Sequence, residues 1–123
     1  MLAALGSIAT QQASPTANTV RKIKQLVDYS ATHPDAAVTY RSSNMVLAAH
    51  INTSYLSETK AQSRSGGHLF MSRDIAVPKN NGAVHTVAQI IKTVMSSAAE
   101  AELGVLYINC REAILARHLL EAM

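Results

Sequence analysis

The sequence predicts an α+β fold, and three observations predict it. Helical apolar periodicity marks one stretch near the start and a longer one at the end. Between them lie consecutive runs rich in β-branched and apolar residues, separated by polar and glycine-containing breaks. The chain has 123 residues, of which 48% are hydrophobic. That is enough for one core without disulfides or a structural metal. The expected order is helix, short strand, three strands, long helix.

Met1 to Ala9 reads as a short helix that needs a partner to pack on. A polar break from Ala13 to Thr19 follows, in which Asn18 or Thr19 can cap a helix from Val20 to about Thr32. Its apolar stripe is Val20, Ile23, Leu26 or Val27, then Ser30 or Ala31. His33-Pro34-Asp35 ends it, because a residue before proline is pushed out of the helical region. Ala37 to Tyr40 reads as a short strand and Arg41 to Asn44 as a turn. Met45 to Asn52 is the next strand; its near-continuous apolarity predicts a strand covered on both faces. Thr53 to Ser65 is polar and basic and reads as a loop. Gly66 to Ser72 forms a strand, with Gly66-Gly67 as a tight strand entry. Arg73 to Asn81 is a loop, and Ala83 to Ile91 a third long strand rich in β-branched residues.

The last element starts at Ser96-Ser97-Ala98-Ala99-Glu100-Ala101-Glu102-Leu103. With Ser97 as N-cap, Glu100 falls at the third helical position of a capping box. Two readings follow. Glu100 caps a surface helix at the positive end of its dipole, or it points at a carboxylate site on the neighbouring sheet.

Composition excludes several function classes. The lone cysteine, Cys110, allows no intrachain disulfide or thiolate zinc site and fits a reducing, intracellular compartment, with cytoplasm and nucleus both open. His33, His50, His68, His85 and His118 show no H-x-x-x-H or H-E-x-x-H spacing. His50 reads as a core histidine. No run approaches the roughly 18 apolar residues that cross a bilayer, and Met1 to Gly6 lacks the features of a signal peptide. The formal net charge is +3, unevenly spread. Lys60, Arg64, Arg73, Lys79 and Lys92 face one acid, Asp74, across the middle, whereas four glutamates follow Ser97. A basic middle suits a polyanionic partner, or it solubilises the strands it flanks.

Four segments, in this order, carry a resemblance: Val20 to Asp35 (VRKIKQLVDYSATHPD), Met45 to Ser57 (MVLAAHINTSYLS), Lys60 to Ser72 (KAQSRSGGHLFMS) and Ser96 to Leu103 (SSAAEAEL). Together they resemble the ribonuclease H region of copia-type retrotransposon polyproteins, preceded by the tail of the reverse transcriptase. In that family a helix leads to a strand ending in Asp-Ala-Ser-Tyr or Asp-Ala-Asp-Trp, then a Ser-x-x-Gly-Gly strand, then Ser-Ser-x-Glu-Ala-Glu. The resemblance implies a truncated ribonuclease H-like fold of three to four mostly antiparallel strands with a long C-terminal and an N-terminal helix. Residues 1–36 would be a remnant of the reverse transcriptase end and 37–123 a partial ribonuclease H-like domain.

The family activity is cleavage of RNA in RNA–DNA hybrids by two divalent ions, usually magnesium, held by clustered carboxylates. Carried over residue by residue, the first-strand aspartate falls on Asn52 and the helix glutamate on Glu100, with Glu102 about 200° away around the helix. If both belong to one site they should approach within roughly 4–7 Å. A Thr-Asp-Asn motif that carries the third carboxylate is expected beyond Met123. With two of three carboxylates missing, the resemblance implies a decayed or split copy without catalysis. Its partner would be an RNA–DNA hybrid or other nucleic acid held by Lys60, Arg64, Arg73 and Lys79; the alternative is a translated remnant with no function. Loss of the strand carrying the third carboxylate would leave Met45 to Ile51 as an edge open to self-association.

Overall fold

A computed structural model describes residues 1–74 and 76–123; Ile75 lies outside the described residues. The described residues form an α+β structure of three helices and one open, three-stranded antiparallel sheet. They divide into two compact units, Met1–Val38 and Thr39–Met123.

The first unit is a helical hairpin. Helix α1 spans Leu2–Ala9 and α2 spans Ala17–Thr32. The cap of α2 is Thr16, earlier than the expected Asn18 or Thr19. Thr16 wins because Thr19, three positions on, reciprocates. The Thr19 N–H donates to Thr16 Oγ1 at 3.3 Å and the Thr16 N–H donates to Thr19 Oγ1 at 3.0 Å. Thr19 also donates its hydroxyl to Gln11 Oε1, 2.8 Å away. Val20, Ile23 and Val27 are exposed. The cleft between the helices is instead lined by Lys22, Gln25, Leu26 and Tyr29 against Met1, Ala4, Ser7 and Ile8. The helix ends at Thr32 with His33 as C-cap, one residue before Pro34.

The second unit holds the sheet. Strand β1 spans Val46–Glu58, β2 spans Gln62–Ser72 and β3 spans Ala83–Ile91, in the order β1-β2-β3. Three expectations need correction. Thr53 to Ser65 is no loop: β1 continues to Glu58 and turns into β2 through a short 3-10 turn, Thr59–Ala61. Gly66 and Gly67 therefore sit in mid-strand. The central strand is β2, which buries Ser63, Arg64, Ser65 and Leu69 to Ser72, whereas β1 lies at an edge. Its apolar run contains two alanines and leaves much of the strand exposed.

The third correction is that Ala37 to Tyr40 forms no strand. Thr39 makes one backbone bond to Gly82, and then the Asn81 side chain takes the place of a strand partner. Asn81 Oδ1 accepts from the Arg41 N–H (2.7 Å), and Asn81 Nδ2 donates to the carbonyls of Arg41 and Met71, each at 2.9 Å. The Tyr40 ring covers Gly82, where a Cβ would lie 2.7 Å from it.

Helix α3, Ala98–Glu121, buries Ala101, Val105 and Asn109, one residue per turn, against one face of the sheet. With Leu69, Met71, Val87 and Ile91 these make the core on that face, while Phe70 is buried on the opposite face. Register defines which strand residues face the helix. Ile51 pairs with Gly67 and Thr53 with Ser65, while Gly67 pairs with Val87. Asn109 Nδ2 bonds to Ser65 Oγ, so this set faces α3. His50, Asn52, His68 and Phe70 alternate onto the other face. There His50 stacks edge-on against Phe70, 4.9 Å between centroids, and it is exposed rather than a core residue. His68 Nε2 donates to the Asn81 carbonyl at 2.9 Å.

Candidate nucleic-acid interface

At the start of α3, Ser97 is the N-cap and accepts from the Glu100 N–H at 3.1 Å. The Glu100 carboxylate reaches back to Ser96, accepting from its N–H and its hydroxyl, each at 2.6 Å. These two bonds, hydroxyl first, hold the exposed Glu100 carboxyl below the usual carboxylate range. At 100° per residue, Glu100 projects about 140° from Val105, the centre of the buried face. Glu100 is thus a capping residue turned away from the sheet.

Glu102 lies nearer the strand. A groove of about 570 Å³ between the outer edge of β1 and α3 is lined by Ile51, Asn52 and Thr53 with Ala99, Glu102, Leu103, Val105 and Leu106. The expected pairing of Asn52 with Glu100 is replaced, at the level of which residues share a groove, by Asn52 with Glu102. Strand alternation gives the further correction that Asn52 is directed away from the helix face, and its Oδ1 accepts from the Thr53 N–H at 2.9 Å. No group of three or more His, Cys, Asp or Glu side chains gathers among the described residues. One carboxylate and one amide turned to the opposite face do not fit a pair of closely spaced magnesium ions, which require several hard, charged oxygen ligands.

The four expected basic residues separate into two ends of the sheet. Lys60 is exposed in the β1–β2 turn. Arg64, beside that turn, is 8% exposed; its Nε donates to Glu58 Oε1 at 2.6 Å, and one terminal nitrogen is buried with no partner among the described residues. Arg64 is therefore a structural cation inside the hairpin, out of reach of a phosphate.

Arg73 and Lys79 lie at the opposite end, where Val46 pairs with Ser72. They line a groove of about 310 Å³ with Arg41, Ser42, Met71, Ser72, Asn80 and Asn81. Three cations and four hydrogen-bonding side chains line it, and no acid is among the lining residues. Arg73 donates from Nε to the Ser42 carbonyl at 2.8 Å and from a terminal nitrogen to the Ser42 hydroxyl. Of its five N–H donors others remain for a ligand. Neighbouring Asp74 spends one carboxylate oxygen on the Ala76 N–H, 2.9 Å away. Arg41 escaped the sequence reading because it is forty residues from Asn81, the residue that fixes its backbone.

No protein-family model, curated protein or solved structure matches this chain. No helix among the described residues is long and apolar enough to cross a membrane.

Proposed function

We propose that the chain is a nucleic-acid-binding body, built on a ribonuclease H-like sheet of the copia-type polyprotein kind, that holds RNA–DNA hybrid or related polyanions without cutting them. The observation that carries this reading is the groove of Arg41, Arg73 and Lys79, unopposed by acid among its lining residues. Such a cluster binds the phosphate backbone rather than base edges. The resemblance of the strand and helix motifs supports a hybrid as the polyanion, and the separation of Asn52 and Glu102 onto opposite faces supports binding without metal-assisted hydrolysis.

Fluorescence anisotropy on a labelled hybrid, titrated at several salt concentrations, tests the reading. Neutralising about three phosphates predicts that log K falls against log salt with a slope near −3. Arg73→Glu and Lys79→Glu should each weaken binding about tenfold at low salt. Lys60→Glu, at the far end of the hairpin, should leave it unchanged. Affinity insensitive to salt, or equally sensitive to Lys60→Glu, overturns the assignment of the groove. Magnesium-dependent cleavage of the hybrid that disappears in Glu102→Gln would overturn the non-catalytic part.

A further inference from the structure

We infer that the outer edge of β1 is a homodimer interface, in which two copies of this chain pair β1 against β1 antiparallel about a two-fold axis at Ile51. The edge is the first of three observations. Among the described strands β1 pairs with β2 alone, so its other side presents N–H and C=O groups without a strand partner; the Thr53 N–H is held by Asn52 Oδ1 and exchanges that local bond for one across the interface. Protective devices for such edges include lysine, proline, inward charge and bulges; the irregularity of β1 lies between Ser54 and Glu58, with Leu56 at φ 50°, and the register with β2 is unbroken from Val46 to Ser54. Val46 to Ser57 contains no Asp, Glu, Lys, Arg or Pro.

The second observation is self-complementarity. A two-fold axis through Ile51 places Ile51 against its own copy, Ala49 against Thr53 and Leu47 against Tyr55 on the helix side. On the other side it pairs His50 with Asn52 and Ala48 with Ser54. Every pair joins uncharged or hydroxyl-bearing residues of compatible size, and no like-charged carboxylates or ammonium groups meet on the strands. A closed two-fold contact of this kind stops at two chains.

The third is the groove beside the edge. Ile51 is 39% exposed, Leu103 67% and Leu106 46%, and all three line it. A two-fold axis perpendicular to the sheet keeps both α3 helices on one face, so these leucines cover the new strand pair from above. The wall so formed, from Leu47 to Tyr55, is about 30 Å of strand by about 20 Å of sheet and helix, or roughly 600 Å² per chain. Standard stable interfaces bury about 800 Å² per partner, which puts this one in the reversible class.

Sedimentation velocity on the full chain from about 5 to about 500 µM, a range that brackets micromolar dissociation, reads the result directly. The weight-average mass should rise from that of one chain to a plateau at two. Ile51→Lys and Leu103→Lys should each hold the chain monomeric throughout, with unchanged far-ultraviolet circular dichroism. Leu119→Lys, equally exposed but at the far end of α3, should dimerise as the parent does. A constant monomer mass overturns the inference. So does growth past two chains without a plateau, or a dimer that survives both Ile51→Lys and Leu103→Lys, or one that Leu119→Lys abolishes.

Discussion

Asn109 sits where a leucine is expected on a buried helix face, at 2% exposure among Ala101 and Val105. Its amide nitrogen bonds back to the Val105 carbonyl at 2.9 Å and across to Ser65 and Gly66 of β2. Its bulk is admitted only by Gly67: a Cβ there would overlap Asn109 Oδ1 and lie 3.1 Å from Val87 Cβ. Gly67→Ala should therefore cost about 1–3 kcal/mol through overpacking, measured by urea unfolding. The double variant with Asn109→Ala should recover part of that loss, a coupling of at least about 0.5 kcal/mol. Additive losses would show that the two positions do not share the space. At the helix start, Ser97→Ala should cost about 1 kcal/mol. Glu100 contributes with a defined sign. Its folded-state pKa is lowered by Ser96, so its contribution is present above the ordinary carboxylate pKa of about 4.3 and is lost as pH falls through the lowered value. Glu100→Gln should lower the melting temperature near neutral pH, and the deficit should shrink as acid protonates the carboxylate. A deficit unchanged in acid would assign it to packing rather than charge.

Among the elements, β3 and α3 are legible because each is announced by its own residues: β-branched density in Ala83–Ile91, and Ser97 followed by helical spacing. The β1–β2 hairpin is not. Thr53 to Ser65 reads as a loop because the alternation of Ile51, Thr53 and Tyr55 toward the helix is mixed with serines. Its turn also lacks the Asn-Gly or Asp-Gly pair that marks one. Lys60 and Ala61 nonetheless take φ of 62° and 53°, a region that costs a residue with a Cβ roughly 1–2 kcal/mol. Ala61→Gly should remove that strain and raise stability by about 1 kcal/mol, less the backbone entropy glycine adds to the unfolded chain. Thermal unfolding checks this; a loss of stability would mean that Ala61 is not held at positive φ. The candidate site was half legible for a related reason. Arg73 and Lys79 are visible as charges in a loop, but Arg41 joins them only through Asn81, and Arg64 is withdrawn by Glu58; both depend on pairings that no local pattern encodes.

The whole molecule distributes its burial unevenly, and this fixes where it should open first. Among the described residues, the buried apolar side chains, from Leu69 to Val105, all lie in the unit Thr39–Met123. Within Met1–Val38 the buried residue is Thr19, a polar side chain whose hydroxyl is committed to Gln11. Helices of eight and sixteen residues are near or below the length that holds together in water without packing. A unit of under about 40 residues with no buried apolar side chain and no cysteine falls below the size that folds unaided. Native-state hydrogen exchange should therefore find the amides of α1 and α2 opening at a small fraction of the global unfolding free energy. Those of β2 from Leu69 to Ser72 and of α3 around Val105 should exchange only on global unfolding. Amides of α2 protected as strongly as those of β2 would show that the helical hairpin shares in the main cooperative transition, and the two units would then have to be treated as one.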